Sequence, residues 1–204
     1  MVRVFHREHA GRPIRALWTL EEIGQPYELT IMTREEGSSE EHRERHPLGR
    51  VPVLELDDGF VFESAAVCVH LADLYPEAGL IGPLGTRARA LAYQWTVFGP
   101  AELEPPLIQA ATLAESDPDL AAKARARFSR AADAVAAALG GNDYLVEDRF
   151  GVGDVLVGHA LSFTRRTKFP EELPQSLQEY VARLTERPAY VRAVERATGA
   201  PASA

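Results

Sequence analysis

The stretch from Leu48 to Leu74 holds the groups best suited to grasping a small, extended, charged molecule. It reads Gly49-Arg50-Val51-Pro52-Val53-Leu54-Glu55-Leu56, the turn pair Asp58-Gly59, then Phe60-Val61-Phe62-Glu63-Ser64 and an apolar helix. Proline cannot donate to a strand ladder, so within a sheet it belongs at a strand's first residue or on an edge. Pro52 therefore opens a strand, Asp58-Gly59 supplies a tight hairpin, and Ser64 takes the N-cap position of the helix that follows. The chemistry on offer is main-chain recognition: the Val51 backbone ahead of the proline, and free N–H groups after Glu63-Ser64, where a helix start favours an anion.

The elements that must hold these groups follow from periodicity. Residues 2–6 and 27–31 alternate with period two and read as strands, and between them Ala16, Leu17, Leu20 and Ile23 share one helical face. Pro13 suits a first helical turn, and Gly24 followed by Pro26 suits a stop. Residues 33–46 are dense in charge and read as a solvated loop with a short helix at most. With the hairpin and the helix from Ser64 to Tyr75 the order is β-α-β-α-β-β-α. Residues 76–83, with two prolines and two glycines, form a linker. Every periodic segment after it is helical. Leu91, Trp95 and Phe98 mark one helix that Pro100 and Pro105-Pro106 kink or end. Asp117-Pro118 begins a second that runs to Leu139 and stops at Gly140-Gly141. Others start near Val152, Pro174 and Pro188, and residues 199–204 read as a tail.

Composition narrows the function classes. The chain has 204 residues, 46% of them hydrophobic, enough for two small cores. Its apolar runs are short and broken by charge, so no membrane span is expected, and Met1-Val2-Arg3-Val4 leads into a strand pattern instead of a signal peptide. A cytoplasmic location is the expectation. The net charge of −8 falls as −7 on residues 1–82 and −1 on residues 83–204, the reverse of a nucleic-acid footprint. One cysteine, Cys68, rules out an internal disulfide.

The Val-Pro dipeptide, the Glu63-Ser64 pair at this spacing, residues 16–24 (Ala-Leu-Trp-Thr-Leu-Glu-Glu-Ile-Gly) and the closing Arg187-Pro188-Ala189-Tyr190 together resemble the glutathione S-transferase family. The resemblance spans almost the whole chain. It implies a thioredoxin-like α/β domain over residues 1–82, an all-helical domain over residues 83–204, and a homodimer. It further implies that Val51-Pro52 is cis, that the Val51 main chain pairs with the cysteinyl backbone of glutathione, and that the γ-glutamyl carboxylate meets Ser64 while Glu63 faces the ammonium. Arg50 either pairs with the glycyl carboxylate or faces solvent.

At the position of the family's catalytic serine, tyrosine or cysteine, this chain aligns Gly11. The groups left to hold a thiolate are the Gly11 and Arg12 N–H groups, the Arg12 guanidinium and His9. The absence of a cysteine there argues against disulfide-reducing relatives, and Cys68 lies in an apolar helix where an inert buried thiol is expected. Trp95, Phe98 and Glu102 fall where the family walls its electrophile pocket, with core packing the plainer reading for Trp95. Residues 150–155 resemble the family's capping motif, with Gly151 in place of its serine or threonine. The expected activity is attack by bound glutathione on a small hydrophobic electrophile, without a metal. The alternatives are a glutathione or hydrophobic-ligand binder without turnover, and a glutathione-dependent isomerase or dehalogenase.

Overall fold

The computed structural model describes residues 1–8, 11–167, 169 and 173–199. They divide into two compact units, one of Met1–Gly79 with the segment from Glu186 onward, the other of Leu80–Thr185.

The first unit is built on a four-stranded mixed sheet. Strand β1 (Arg3–Arg7) is followed by helix α1 (Pro13–Ile23) and by β2 (Glu28–Met32), which pairs parallel with β1. A short 3-10 turn and helix α2 (Glu40–Arg45) lead to β3 (Val53–Leu56), which runs antiparallel to β1 and to β4 (Gly59–Phe62). Helix α3 (Ser64–Leu74) closes the motif, and the strand order is β2-β1-β3-β4. This is the thioredoxin-like order expected from the sequence. Consecutive Val4, Phe5 and His6 on β1 are all buried, so both faces of the central strand are covered. Gly24 ends α1 in the left-handed conformation, φ 75°, with its N–H on the Leu20 carbonyl, a geometry that glycine adopts without steric cost.

The last helix, α9 (Pro188–Thr198), packs on α1 and belongs to this first unit. The sequence places residues 83–204 in the helical domain, and the described part of this segment has its contacts with the first unit. Those contacts rest on charge and aromatic complementarity that a linear pattern hides. Arg187 makes a two-pronged bond to Glu22, at 2.6 and 2.7 Å, and Arg192 and Arg196 both meet Glu21. Tyr190 stacks edge-on against Trp18 at 4.9 Å. The His6 ring Nε2 lies 2.9 Å from the Ala197 carbonyl, which only accepts, so that nitrogen carries the proton.

The second unit is helical. Helix α4 (Arg87–Phe98) is capped by the Thr86 hydroxyl and passes through a π-type turn (Gly99–Leu103) into α5 (Glu104–Thr112). The prolines do not end the helical path: Pro105 and Pro106 sit in the first turn of α5, where no N–H is needed. Gly99 passes the Leu156 backbone so closely that a Cβ would lie 2.9 Å from its carbonyl oxygen. Helix α6 (Pro118–Leu139) starts at Asp117, whose carboxylate accepts the Leu120 N–H, and stops at Gly140 as expected. Its buried stripe of Ala121, Ala124, Phe128, Ala132, Val135 and Leu139 is the face that α5 covers. Helices α7 (Val152–Arg166) and α8 (Gln175–Thr185) complete the unit.

Asp154 is the polar centre of this unit. Its carboxylate accepts the N–H groups of Leu145 and Gly151 and the Tyr180 hydroxyl, at 2.8 to 3.0 Å. Gly151 carries no capping side chain because there is no room for one: a Cβ would stand 2.6 Å from the Leu80 carbonyl oxygen. That carbonyl is held in place by the Val152 N–H at 2.9 Å. Gly151→Ser is therefore expected to lower stability by about 1–3 kcal/mol, the range for overpacking, instead of adding a cap; urea denaturation checks it, and a rise in midpoint overturns the steric account.

Burial pushes the Asp154 carboxyl up to about 6, against the pull of its three donors. A carboxyl raised above its unfolded value binds its proton more tightly when folded. Its stabilising effect is full below pH 4 and is lost as pH rises through 6, a change of roughly 3 kcal/mol by linkage. The stability gap between the wild type and Asp154→Asn should accordingly narrow from pH 4 to pH 7 in paired denaturation curves; a constant or widening gap contradicts the shift.

Candidate functional site

The candidate site lies in the first unit, where α1, α3 and the turn before β3 meet. The Val51-Pro52 bond is cis, as the resemblance implied. The Val51 side chain packs on Phe5, Met32 and Val53, which fixes the backbone from one side. Its own N–H and C=O bond to none of the described residues, so one residue's worth of strand edge stands ready for a partner. The chain before it is braced by His42, fully buried on α2, whose Nε2 donates to the Arg50 carbonyl at 2.9 Å. His42 is placed by the Ser39 hydroxyl, which caps α2 by accepting its N–H at 3.1 Å. A second imidazole, His46, stacks on Phe62 at 4.5 Å and accepts the Leu48 N–H.

Helix α3 begins one residue earlier than a serine cap would place it. Glu63 occupies the N-cap position and Ser64 is the first helical residue, so the expected Ser64 cap is corrected. The Ser64 hydroxyl is already engaged: it accepts from Nη1 of Arg15 at 3.0 Å. Glu63 gives no side-chain cap, and the N–H groups of Ser64, Ala65 and Ala66 have no acceptor among the described residues; the first bond of the helix is Val67 to the Glu63 carbonyl. Three unbonded donors at a helix start form an anion site. Glu63 reaches this position only by taking φ 69°, ψ 114°, a conformation L side chains rarely adopt. Such strain costs about 1–3 kcal/mol and gathers where geometry serves binding.

Charge gathers here too. His46 is pushed down, first by burial, while the charge of Glu63 raises it and those of His42 and Arg50 lower it. Glu63 and Arg50 are thus both near His46, each with its side chain exposed. Arg15 is fully buried, and burial lowers its guanidinium to about 9; the Cys68 thiol acts to raise it and the Arg12 charge to lower it. Cys68 is buried and pushed up to about 11, a neutral thiol as expected.

At the mouth of α1, Arg12 stands at the N-cap position, exposed and without a side-chain cap. The Ile14 and Arg15 N–H groups are spent on the Gly11 and Arg12 carbonyls, and Pro13 has none. Half-buried Gly11 keeps an N–H with no acceptor among the described residues. His9 lies outside the described residues. Trp95, Phe98 and Glu102 belong to the second unit, where Trp95 is buried, stacks edge-on with Phe98 at 5.2 Å and touches the backbone of Gly153. Trp95 is a packing residue, while Glu102 is exposed. Among the described residues no group of His, Cys, Asp and Glu is arranged to hold a metal ion, and no helix is long and apolar enough to cross a membrane.

The sequence reading missed Arg15, His42 and His46. The signal for Arg15 was an arginine set on the apolar face of α1, four residues before Thr19, whose hydroxyl bonds back to it.

Family models agree with this geometry. The glutathione S-transferase N-terminal domain matches residues 2–73 and the glutathione S-transferase C-terminal domain residues 87–188. The chain belongs to the glutathione S-transferase family. It is 27% identical to glutathione S-transferase GstA of Escherichia coli O157:H7 over 83% of this chain and 86% of that one. Elongation factor 1-gamma of Trypanosoma cruzi is 32% identical over 65% of this chain but only 32% of its own length. The chain spans less than half the length of several other curated relatives it matches. Among solved structures, a glutathione transferase of Methylococcus capsulatus superposes with a TM-score of 0.86 at 27% identity, covering 97% of this chain and 98% of that one.

Glu63→Gly removes the strained side-chain carbon and is expected to raise stability by about 0.5–1 kcal/mol, the relief exceeding glycine's extra backbone entropy. Urea denaturation reads it; a lower midpoint shows that the Glu63 side chain contributes more to folding than its φ costs.

Proposed function

We propose that this chain is a glutathione transferase that binds glutathione in the first unit and directs its thiolate at a small hydrophobic electrophile. The observation that carries the reading is the pairing of the unbonded α3 first turn at Ser64 with the unbonded Val51 main chain. Glutathione presents the complement of both: a γ-glutamyl carboxylate for the helix start and an extended cysteinyl backbone for the strand edge. Glu63 then faces the ammonium and Arg50 the glycyl carboxylate.

The thiol step falls to Gly11, with Arg12 beside it. A free thiol has a pKa of about 8.5, and bringing it to about 6.5 takes roughly 2.7 kcal/mol of preferential thiolate stabilisation. One hydrogen bond to a charged acceptor contributes about 1.5–3 kcal/mol, and a helix N-terminus about 0.3–1. The Gly11 N–H at the mouth of α1 supplies both kinds of interaction, so activation is feasible without a hydroxyl, at the lower end of what is needed. Orientation of the bound thiol supplies rate as well.

The absent hydroxyl at Gly11 also supports a second reading, a scaffold that binds glutathione without turnover. Calorimetry with glutathione, run beside conjugation of an aryl halide, separates the two. Binding at or below millimolar concentration with measurable conjugation is expected; binding alone selects the second reading, and no binding by folded protein rejects both. Gly11→Ser should raise kcat/KM by about tenfold and shift its rise with pH to lower values, since a hydroxyl adds a donor worth about 1–2 kcal/mol to the thiolate. An unchanged rate means the sulfur does not sit at α1.

A further inference from the structure

The first unit holds a cavity of about 480 Å³ that shares no residue with the candidate glutathione site. It opens between the C-terminal end of α1, the turn into β2 and the outer face of α9, and its size is that of a small-molecule pocket. Glu21 stands on one side, Pro26 and Tyr27 on a second, Arg192 and Arg196 on the third. Gly24 adds no side chain to the wall, and a Cβ built there would meet nothing within 4 Å.

Charge in this cavity is unevenly matched. The Glu21 carboxylate, 9% exposed, accepts the Tyr27 hydroxyl at 2.7 Å and meets Nε of Arg192 at 2.7 Å and Nε of Arg196 at 3.0 Å. Tyr27 keeps its proton, because burial and the bond to Glu21 both raise its hydroxyl, so one carboxylate faces two guanidinium groups. A guanidinium carries five N–H donors in a planar fork that fits carboxylates and phosphates. Arg192 spends Nε and Nη2 on the Glu21 carboxylate and carbonyl, and Arg196 turns Nε to the same carboxylate with its Cζ 4.8 Å over the Tyr27 ring. Donors remain on both groups, whose side chains stay 47% and 44% exposed. Glu21 thus aligns two cations in advance, which spares an incoming anion the cost of ordering them.

We propose that this cavity binds a small organic anion, whose carboxylate or phosphate bridges Arg192 and Arg196 while its apolar body lies along Pro26 and Tyr27. An inorganic anion alone would leave most of the volume unfilled, which is why the ligand carries a body. Glu21 is the positioning residue that holds both forks in place. The inference stands apart from the glutathione reading, and its signature is selectivity for the ligand's charge, which arginines serving only to fasten α9 would not produce.

The test applies calorimetry and ¹⁵N NMR to the full chain with 2-naphthoate, 2-naphthyl phosphate and the neutral 2-naphthamide, on the wild type, Arg192→Gln and Arg196→Gln. At least one anion should bind with a Kd below about 1 mM and shift the amide resonances of Gly24, Gln25 and Tyr27 and the Nε resonances of Arg192 and Arg196; the tighter anion identifies the headgroup. The naphthamide should bind about tenfold more weakly or worse, and each variant should weaken the anion by about tenfold, the scale of one lost charged hydrogen bond. Failure of both anions to bind, shifts confined to other residues, or equal losses for charged and neutral ligands overturn the proposal. Because the two arginines also fasten α9, the unmodified protein provides a second measurement. Raising the salt from about 50 to about 300 mM should weaken the anion severalfold and leave the naphthamide unchanged, and anion binding insensitive to salt also overturns it.

Discussion

A cation withdrawn completely from water dictates much of what surrounds it, and in this chain that cation is Arg15. Its bond to Ser64 ties α1 to the start of α3 across 49 residues of sequence. The helix it meets opens on Glu63, whose backbone takes an unusual φ, and the first N–H groups of that helix have no acceptor among the described residues. Buried packing and open main-chain donors thus meet at one residue, Ser64. A surface arginine at the same distance would be screened and mobile; a buried one acts as a fixed part of the framework.

The opposite wall of the site depends on imidazoles instead. His42 holds the Arg50 carbonyl and His46 supports Phe62, so the two chain segments that carry Val51 and Glu63 are each fixed by a ring packed behind them. Asp154 performs the corresponding task in the helical unit, drawing Leu145, Gly151 and Tyr180 to one carboxylate. In both units the polar groups that organise the backbone are buried, while at the site the main-chain groups of Val51 and of the first turn of α3 find no partner among the described residues. Such division is expected where binding uses backbone donors: side chains support, and the main chain makes contact.

The sequence made the elements legible because they are governed by local rules. Pro13 and Gly24 bound α1, Asp117-Pro118 and Gly140 bound α6, and Asp58-Gly59 turns β3 into β4, each through chemistry confined to a few neighbouring residues. The Val51-Pro52 and Glu63-Ser64 positions were legible for a different reason, their resemblance to a known family. What escaped was whatever depends on partners distant in sequence. Ser64 was read as a cap because the pattern could not show Arg15 occupying its hydroxyl. Gly151 looked like a lost cap until the Leu80 carbonyl accounted for it. Trp95 sits at helical spacing from Phe98, and only burial shows that packing is its role.

The attachment of α9 to the first unit bears on how the chain comes into being. More than a hundred residues separate Gly79 from Glu186, and a ribosome adding about 5–20 residues per second takes roughly 5–20 s to bridge them. Through that interval the nascent first unit carries Trp18, Glu21 and Glu22 on α1 without the helix that will cover them. The half of the chain made first is thus the last to be finished, and chaperones have a window of seconds in which its flank stands open.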